Sequence, residues 1–194
     1  MKSPRPRVKK QRLSKSLSGK KILLIVSGSI AAYKTGDLIH DLKTQGASVT
    51  CVMTECAKHF VTPLVLRALS GHKVYEDFFS SDTPYDVLHT SLAEEHDVIL
   101  AAPASANFLA RLAAGMANDL ASCIVLATRK PVLLAPAMND QMYRHMLTQA
   151  NLKKLKGAGY QIIEPIEGHL VCGKEAVGHI SDSQTVIGKI RQVL

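Results

Sequence analysis

Asn139 closes the stretch Pro131-Val-Leu-Leu-Ala-Pro-Ala-Met-Asn-Asp-Gln-Met142, between an apolar run and a polar segment with helical spacing. Its amide donates two hydrogen bonds and accepts others without carrying charge, which suits gripping a carboxylate or an amide. The same residue suits a plain helix cap, and the stretch alone does not separate the two readings. Ser27-Gly28-Ser29 offers hydroxyls and backbone N–H groups at a helix start, a site for one phosphate. It matches neither GxGxxG nor a Walker motif, which disfavours a dinucleotide or a nucleoside triphosphate. A tight turn made by Gly28 and capped by Ser29 is an equal reading. Pro103-Ala-Ser-Ala-Asn107 combines small residues, which let a planar ligand approach the backbone, with Ser105 and Asn107 as polar anchors. His89 has the titration range of a general base, but with eight histidines in the chain each is a weak candidate. Cys172 lies in the glycine-punctuated Gly168–Gly178 stretch, either as a proton-donating thiol on a mobile loop or as a small apolar filler.

These residues need a frame, and the apolar pattern supplies one. Strands are predicted at Lys21–Val26, Ser48–Met53, Val74–Glu76, Asp97–Ala101, Val132–Ala135 and Gln161–Glu164. Helices are predicted over Ala31–Thr44, Glu55–Leu69, Leu88–Glu95, from Pro103-Ala-Ser-Ala-Asn107 to Gly115, and over Asp119–Ala127, Met142–Lys156 and Thr185–Val193. Apolar strands alternating with helices imply an α/β fold: one parallel sheet, flavodoxin-like or Rossmann-like, with helices on both faces. The Ser27, Ser105 and Asn139 segments then all follow strands, on the carboxyl edge where open α/β sheets bind ligands.

The net charge of +8 is concentrated at one end. Nine of the 24 Lys/Arg lie in residues 1–21, which hold no acid, so the other 173 residues carry 15 basic against 16 acidic side chains. Residues 1–20 are expected to be a basic, solvated, disordered tail, and 21–194 one ligand-binding domain. The folded part gives no reason to expect nucleic-acid or membrane binding. No apolar run approaches the ~20 residues of a membrane span, and no apolar core follows the first charges as a secretory signal requires. The four cysteines form no CxxC pair and no metal-type spacing with the histidines, which predicts reduced thiols, a cytoplasmic setting and no metal.

Gly28-Ser-Ile-Ala-Ala-Tyr-Lys34, His89, Pro103-Ala-Ser-Ala-Asn107, Pro136-Ala-Met-Asn-Asp-Gln-Met142 and Leu170-Val-Cys-Gly173 occur in the order seen in flavin-dependent cysteine decarboxylases. The chain resembles that family over residues 20–180, most of all its members that act on phosphopantothenoylcysteine in coenzyme A biosynthesis. The resemblance implies FMN as cofactor, bound at subunit interfaces of a homotrimer or of a dodecamer. It assigns Gly28, Ser29 and Ile30 to the FMN phosphate region, and Thr54, Ser105, Ala106, Asn107, Phe108 and Ala137 to the rest of the flavin site. His89 then matches a catalytic histidine supplied across a subunit boundary. Asn139 matches the residue that grips the substrate carboxylate, with Met138 and Met142 beside it, Lys34 is a candidate for the substrate phosphate, and Cys172 matches the thiol of a substrate clamp. The implied chemistry is thiol oxidation to a thioaldehyde, carboxyl loss to an ene-thiolate, and reduction to 4′-phosphopantetheine.

The chain departs from the family's pattern at four places. Tyr143 stands for a common Trp, Phe108 for a frequent Thr, and Gly178-His-Ile-Ser lacks the usual Arg-Met or Ala-Met. The His89 helix has no basic residue for the substrate phosphate. Related bifunctional proteins add a ligase domain, so with Leu194 last that activity is expected from another polypeptide or from a removed part of this one. The rival readings are a peptidyl-cysteine decarboxylase, which lacks the clamp cysteine, and a flavin prenyltransferase, which lacks Pro-Ala-Met-Asn. A non-catalytic flavin-binding regulator, whose relatives carry acidic tails, and an electron-transfer flavodoxin are the others.

Overall fold

A computed structural model describes residues 17–78, 87–169, 173 and 175–194. Of the basic tail expected over 1–20, residues 1–16 lie outside the described residues, as does Cys172, while Leu17 is buried in the core and so belongs to the domain rather than the tail. Strands β1 (Lys21–Val26), β2 (Ser48–Met53), β3 (Val74–Tyr75), β4 (Val98–Ala104), β5 (Val132–Pro136) and β6 (Gln161–Ile162) form one parallel sheet in the order β3-β2-β1-β4-β5-β6. The chain winds outward from β1 in one direction, returns, and winds outward from β4 in the other. The switch point therefore falls between β1 and β4, and the loops leaving those two strands diverge to leave a crevice.

Period-2 alternation divides the core in two. Ile22, Leu24 and Val26 face one side, where α1 (Thr35–Thr44), α2 (Pro63–Ser70) and α8 (Ser183–Val193) bring Leu38, Ile39, Leu42, Leu66, Ile187 and Ile190. Leu23 and Ile25 face the other, where α3 (Leu88–Glu95), α4 (Ala106–Ala114), α5 (Leu120–Ala127) and α7 (Met146–Gly157) bring Leu92, Phe108, Leu112, Ile124 and Leu152. Both faces are covered, which is why the strands are apolar without alternation in the sequence.

Two predicted helices are divided. Residues 55–69 form a 3₁₀ turn, Glu55–His59, and then α2, because Pro63 occupies the first helical position and Thr62 caps it by accepting from the Val65 N–H at 3.4 Å. The last turn before α7 is the separate α6 (Asp140–Arg144), and His145 restarts the helix by accepting from the Leu147 N–H at 3.2 Å. The stretch expected as a glycine-rich loop is instead the base of an antiparallel hairpin, β7 (Ile166–His169) and β8 (Glu175–His179). Among the described residues no helix is long and apolar enough to cross a membrane.

His96 ends α3 with 5% of its surface exposed, and its Nδ1 donates to the Leu92 carbonyl at 2.8 Å. Burial lowers its pKa below the ordinary histidine value, outweighing that hydrogen bond. The native state therefore binds fewer protons than the unfolded chain once pH falls below ~6.5, so the stability tied to neutral His96 is full above that pH and lost as acidity increases. Urea midpoints measured from pH 7.5 to 5 should fall for the wild type, with a shallower slope for His96→Gln. Equal slopes would refute this origin of acid lability.

Candidate functional site

The carboxyl ends of β1, β2, β4 and β5 open onto one cavity of about 1260 Å³. Typical ligand pockets span ~300–1,000 Å³, so this volume is ample for a cofactor-sized molecule. Its walls hold Gly28, Ser29 and Ile30 after β1, Thr54 after β2, Ser105, Ala106 and Asn107 after β4, and Ala137, Met138, Asn139 and Met142 after β5. Four segments far apart in sequence thus converge at the edge the strand pattern indicated.

Ser27 closes the edge between the two central strands. Its hydroxyl donates to the Pro103 carbonyl at 2.7 Å and accepts from the Ser105 N–H at 2.8 Å, while its own N–H reaches the Pro103 carbonyl at 3.2 Å. The residue is 1% exposed, so these bonds are shielded from water. Ser29 links β1 to β5: its hydroxyl donates to the Ala137 carbonyl at 3.0 Å and accepts from the Ala31 N–H at 3.3 Å, capping the 3₁₀ turn Ile30–Lys34. Gly28 needs no unusual backbone angle. A Cβ there would lie 2.5 Å from the Cys56 Cβ, so glycine is required for close approach of the Glu55–His59 turn, not for conformational freedom. Thr54 is 4% exposed and its N–H continues the β1–β2 ladder to the Val26 carbonyl at 3.0 Å.

Ser105 caps α4 by accepting from the Phe108 N–H at 3.3 Å. Along α4, Asn107, Ala110, Arg111 and Ala114 follow at helical spacing and all line the cavity. The alanines leave a shallow wall for a flat ring system. The guanidinium of Arg111 is held by Asp119 at 2.6 Å and by the Asn118 amide oxygen at 3.1 Å. At the mouth, Lys58 bridges Glu55 at 2.7 Å and Glu76 at 3.2 Å, which offsets two carboxylates beside the cavity. Its pKa is raised chiefly by the Glu55 contact, so the ammonium stays charged.

Of the two roles the sequence left open for Asn139, its contacts make the cap. Its Oδ1 accepts from the Gln141 N–H at 2.9 Å and from the Met142 N–H at 3.4 Å, starting α6. With the oxygen so engaged, the NH₂ group has no hydrogen-bond partner among the described residues and remains available to a ligand at the cavity wall. The orientation of the amide follows from that bonding pattern. On the next peptide, the Met138 N–H donates to the Gly178 carbonyl of β8 at 3.1 Å.

Three expected residues lie elsewhere. Phe108 is fully buried in the core beneath α4 and is not on the cavity wall. Lys34 points away from the cavity and meets His179 at 2.7 Å. His89 is half-buried on α3 and meets Phe78 edge-on with ring centroids 5.9 Å apart; Phe78 lines the cavity and His89 does not. The residues sequence reasoning missed are Ser27 as a tie between strands, Cys56 as Gly28's neighbour, and Arg111 on the wall. Only Arg111 had a legible signal, four residues after Asn107.

A planar, singly phosphorylated ligand fits this donor set. Hydroxyls gather at Thr54 and Ser105, the α4 N-terminus points at the edge, and Ala106, Ala110 and Ala114 keep the wall low. The comparison with known proteins agrees. The family model described as Flavoprotein matches residues 10–194. A probable phosphopantothenoylcysteine decarboxylase of Streptococcus mutans is 45% identical over 177 residues, covering 90% of this chain and 99% of the relative. The coenzyme A biosynthesis bifunctional protein CoaBC of Vibrio vulnificus is 45% identical over 91% of this chain, which spans only 44% of that relative's length. Among solved structures, a mutant PPC decarboxylase complexed with pantothenoylaminoethenethiol superposes with a TM-score of 0.80 at 33% identity, covering 89% of this chain and 97% of the other. The chain belongs to the flavoprotein family, together with the phosphopantothenoylcysteine decarboxylases.

Proposed function

We propose that this protein is an FMN-dependent carboxy-lyase that converts 4′-phosphopantothenoylcysteine to 4′-phosphopantetheine in coenzyme A biosynthesis, acting in the cytoplasm as a homotrimer or a dodecamer. The observation that carries this reading is Asn139, with its carbonyl oxygen spent on the α6 cap and its NH₂ group left at the wall of the cavity. That group donates to the substrate carboxylate, and Met138 and Met142 bracket the carbon next to it. Gly28, Ser29 and Ile30 hold the FMN phosphate, while Thr54, Ser105, Ala106, Asn107 and Ala137 hold the ring system. Bound flavin supplies two-electron oxidation of the substrate thiol and its later reversal. A carboxylate beta to a thiol has no electron sink, and the oxidised sulfur centre provides one. His89 serves as acid and base in a neighbouring subunit's site, which its position off its own cavity wall supports. Cys172 gives the proton that converts the ene-thiolate for final reduction.

Mass spectrometry on FMN-loaded protein given the phosphorylated and the unphosphorylated cysteine conjugate tests the assignment. Carbon dioxide should leave the phosphorylated conjugate faster, and Cys172→Ser should decarboxylate it but accumulate the ene-thiol. No decarboxylation of either conjugate by flavin-loaded protein overturns the function, and normal product from the serine variant overturns the role of Cys172.

A further inference from the structure

Three hydrogen bonds close a ring beneath the carboxylate-binding loop. Ser29, at the start of the phosphate turn, donates its hydroxyl to the Ala137 carbonyl at 3.0 Å. One residue on, the Met138 N–H donates to the Gly178 carbonyl at 3.1 Å. Next to Gly178, the His179 ring meets the ammonium of Lys34, which ends the same turn that Ser29 begins: Nζ lies 2.7 Å from Nε2. The turn therefore grips the Ala137–Asn139 loop directly at one point and through β8 at another.

The tie needs a ring nitrogen that accepts. His179 Nδ1 lies 3.1 Å from the Ile180 carbonyl, which only accepts, so that nitrogen carries the hydrogen. Nε2 is then the acceptor for the Lys34 ammonium. A protonated imidazole has no lone pair for Lys34 and places a second positive charge 2.7 Å from the first. Gly168 packs against the ring, where a Cβ would come within 3.2 Å of its Cγ. Gly178 is equally confined, with φ of +136° and an added Cβ reaching 2.2 Å from the Met138 carbonyl oxygen.

We infer that Lys34 and His179 are a positioning pair, whose hydrogen bond holds Asn139 in register with the phosphate turn. The inference deepens the proposed function, since it concerns placement of the residue assigned there to the substrate carboxylate. Other charges around the pair are Asp37 on α1 and Asp182 before α8, which line a small cavity of about 200 Å³ with Lys34. Glu167 and Glu175 lie on the hairpin itself, and Asp140 and Arg144 on α6, which packs against β8. Those carboxylates do not reach Lys34 as ion pairs, so His179 is its hydrogen-bonding partner among the described residues.

Hydrogen exchange at the Met138 amide reads the tie without substrate, on flavin-loaded protein. His179→Gln keeps an acceptor and should keep protection near the wild-type level. His179→Phe has no acceptor and should lower protection by about tenfold, the equivalent of one charge-assisted hydrogen bond. Lys34→Met should lower it likewise, with KM for the cysteine conjugate raised more than kcat is lowered. Protection equal to the wild type in Lys34→Met and in His179→Phe overturns the inference. If Lys34→Met does not fold, His179→Phe against His179→Gln decides. Failure of decarboxylation with the exchange pattern intact would count against the proposed function alone.

Discussion

Asn139→Asp should abolish turnover while leaving the fold and the flavin spectrum as they are. Aspartate is as good a helix cap as asparagine, so the Gln141 and Met142 N–H groups keep an acceptor and α6 keeps its start. What changes is the other half of the side chain. The NH₂ group proposed to hold the substrate carboxylate becomes a carboxylate oxygen, so an attraction would be replaced by repulsion between like charges. Hydrogen bonds to charged groups are worth ~1.5–3 kcal/mol, so losing them lowers kcat/KM by roughly 10²-fold before the repulsion is added. Asn139→Ala would be less informative, because it also removes the cap at a cost of about 1 kcal/mol. The aspartate variant separates the two duties. Steady-state kinetics beside a thermal melt check it, and near-normal turnover would reduce Asn139 to a cap.

The helix–strand frame was legible because burial on both faces of a parallel sheet leaves an unmistakable record: long runs such as Lys21–Val26 and Asp97–Ala101 in a chain with few other places to hide them. Spacing within those runs also located the site, since Ser29, Ser105 and Asn139 each sit one to three residues past a strand and the topology brings those ends together. The divided helices were less legible. Thr62-Pro63 is a start signal inside a continuous apolar pattern, and His145 caps through a ring nitrogen that composition does not flag. The β7–β8 hairpin was missed for a different reason. Glycines at 168 and 178 look like loop residues, yet each is there because a neighbour, the His179 ring or the Met138 carbonyl, occupies the space a side chain would need. Contacts of that kind are properties of the folded chain. The same holds for Phe108, whose position after Ser-Ala-Asn suggested a flavin contact but whose helical phase turns it into the core. Lys34 likewise followed the phosphate turn in sequence and was captured by a histidine 145 residues away.

Gly28→Ala, the smallest substitution available, should cost flavin binding more than any single polar change in the cavity. The added methyl group would sit 2.5 Å from the Cys56 Cβ and 3.2 Å from the Cys56 carbonyl carbon, against backbone-proximal atoms that cannot rotate away. Either the Gly28–Ile30 segment or the Glu55–His59 turn must move, and both line the cavity. Overpacking of this kind costs ~1–3 kcal/mol, and where the displaced segments are the ligand's own contacts, flavin affinity falls by roughly ten- to a hundredfold. A second substitution tests the steric cause. Cys56→Gly removes the opposing Cβ, so the double variant should recover most of the lost affinity, a coupling expected only for groups in direct contact. Cys56→Ser keeps the Cβ and should recover nothing, which separates crowding from any chemistry of the thiol. Flavin titration followed by fluorescence quenching measures all four proteins. Equal affinities for Gly28→Ala and the wild type would mean that the two turns slide apart freely, and the rigidity assigned to this edge of the sheet would be wrong.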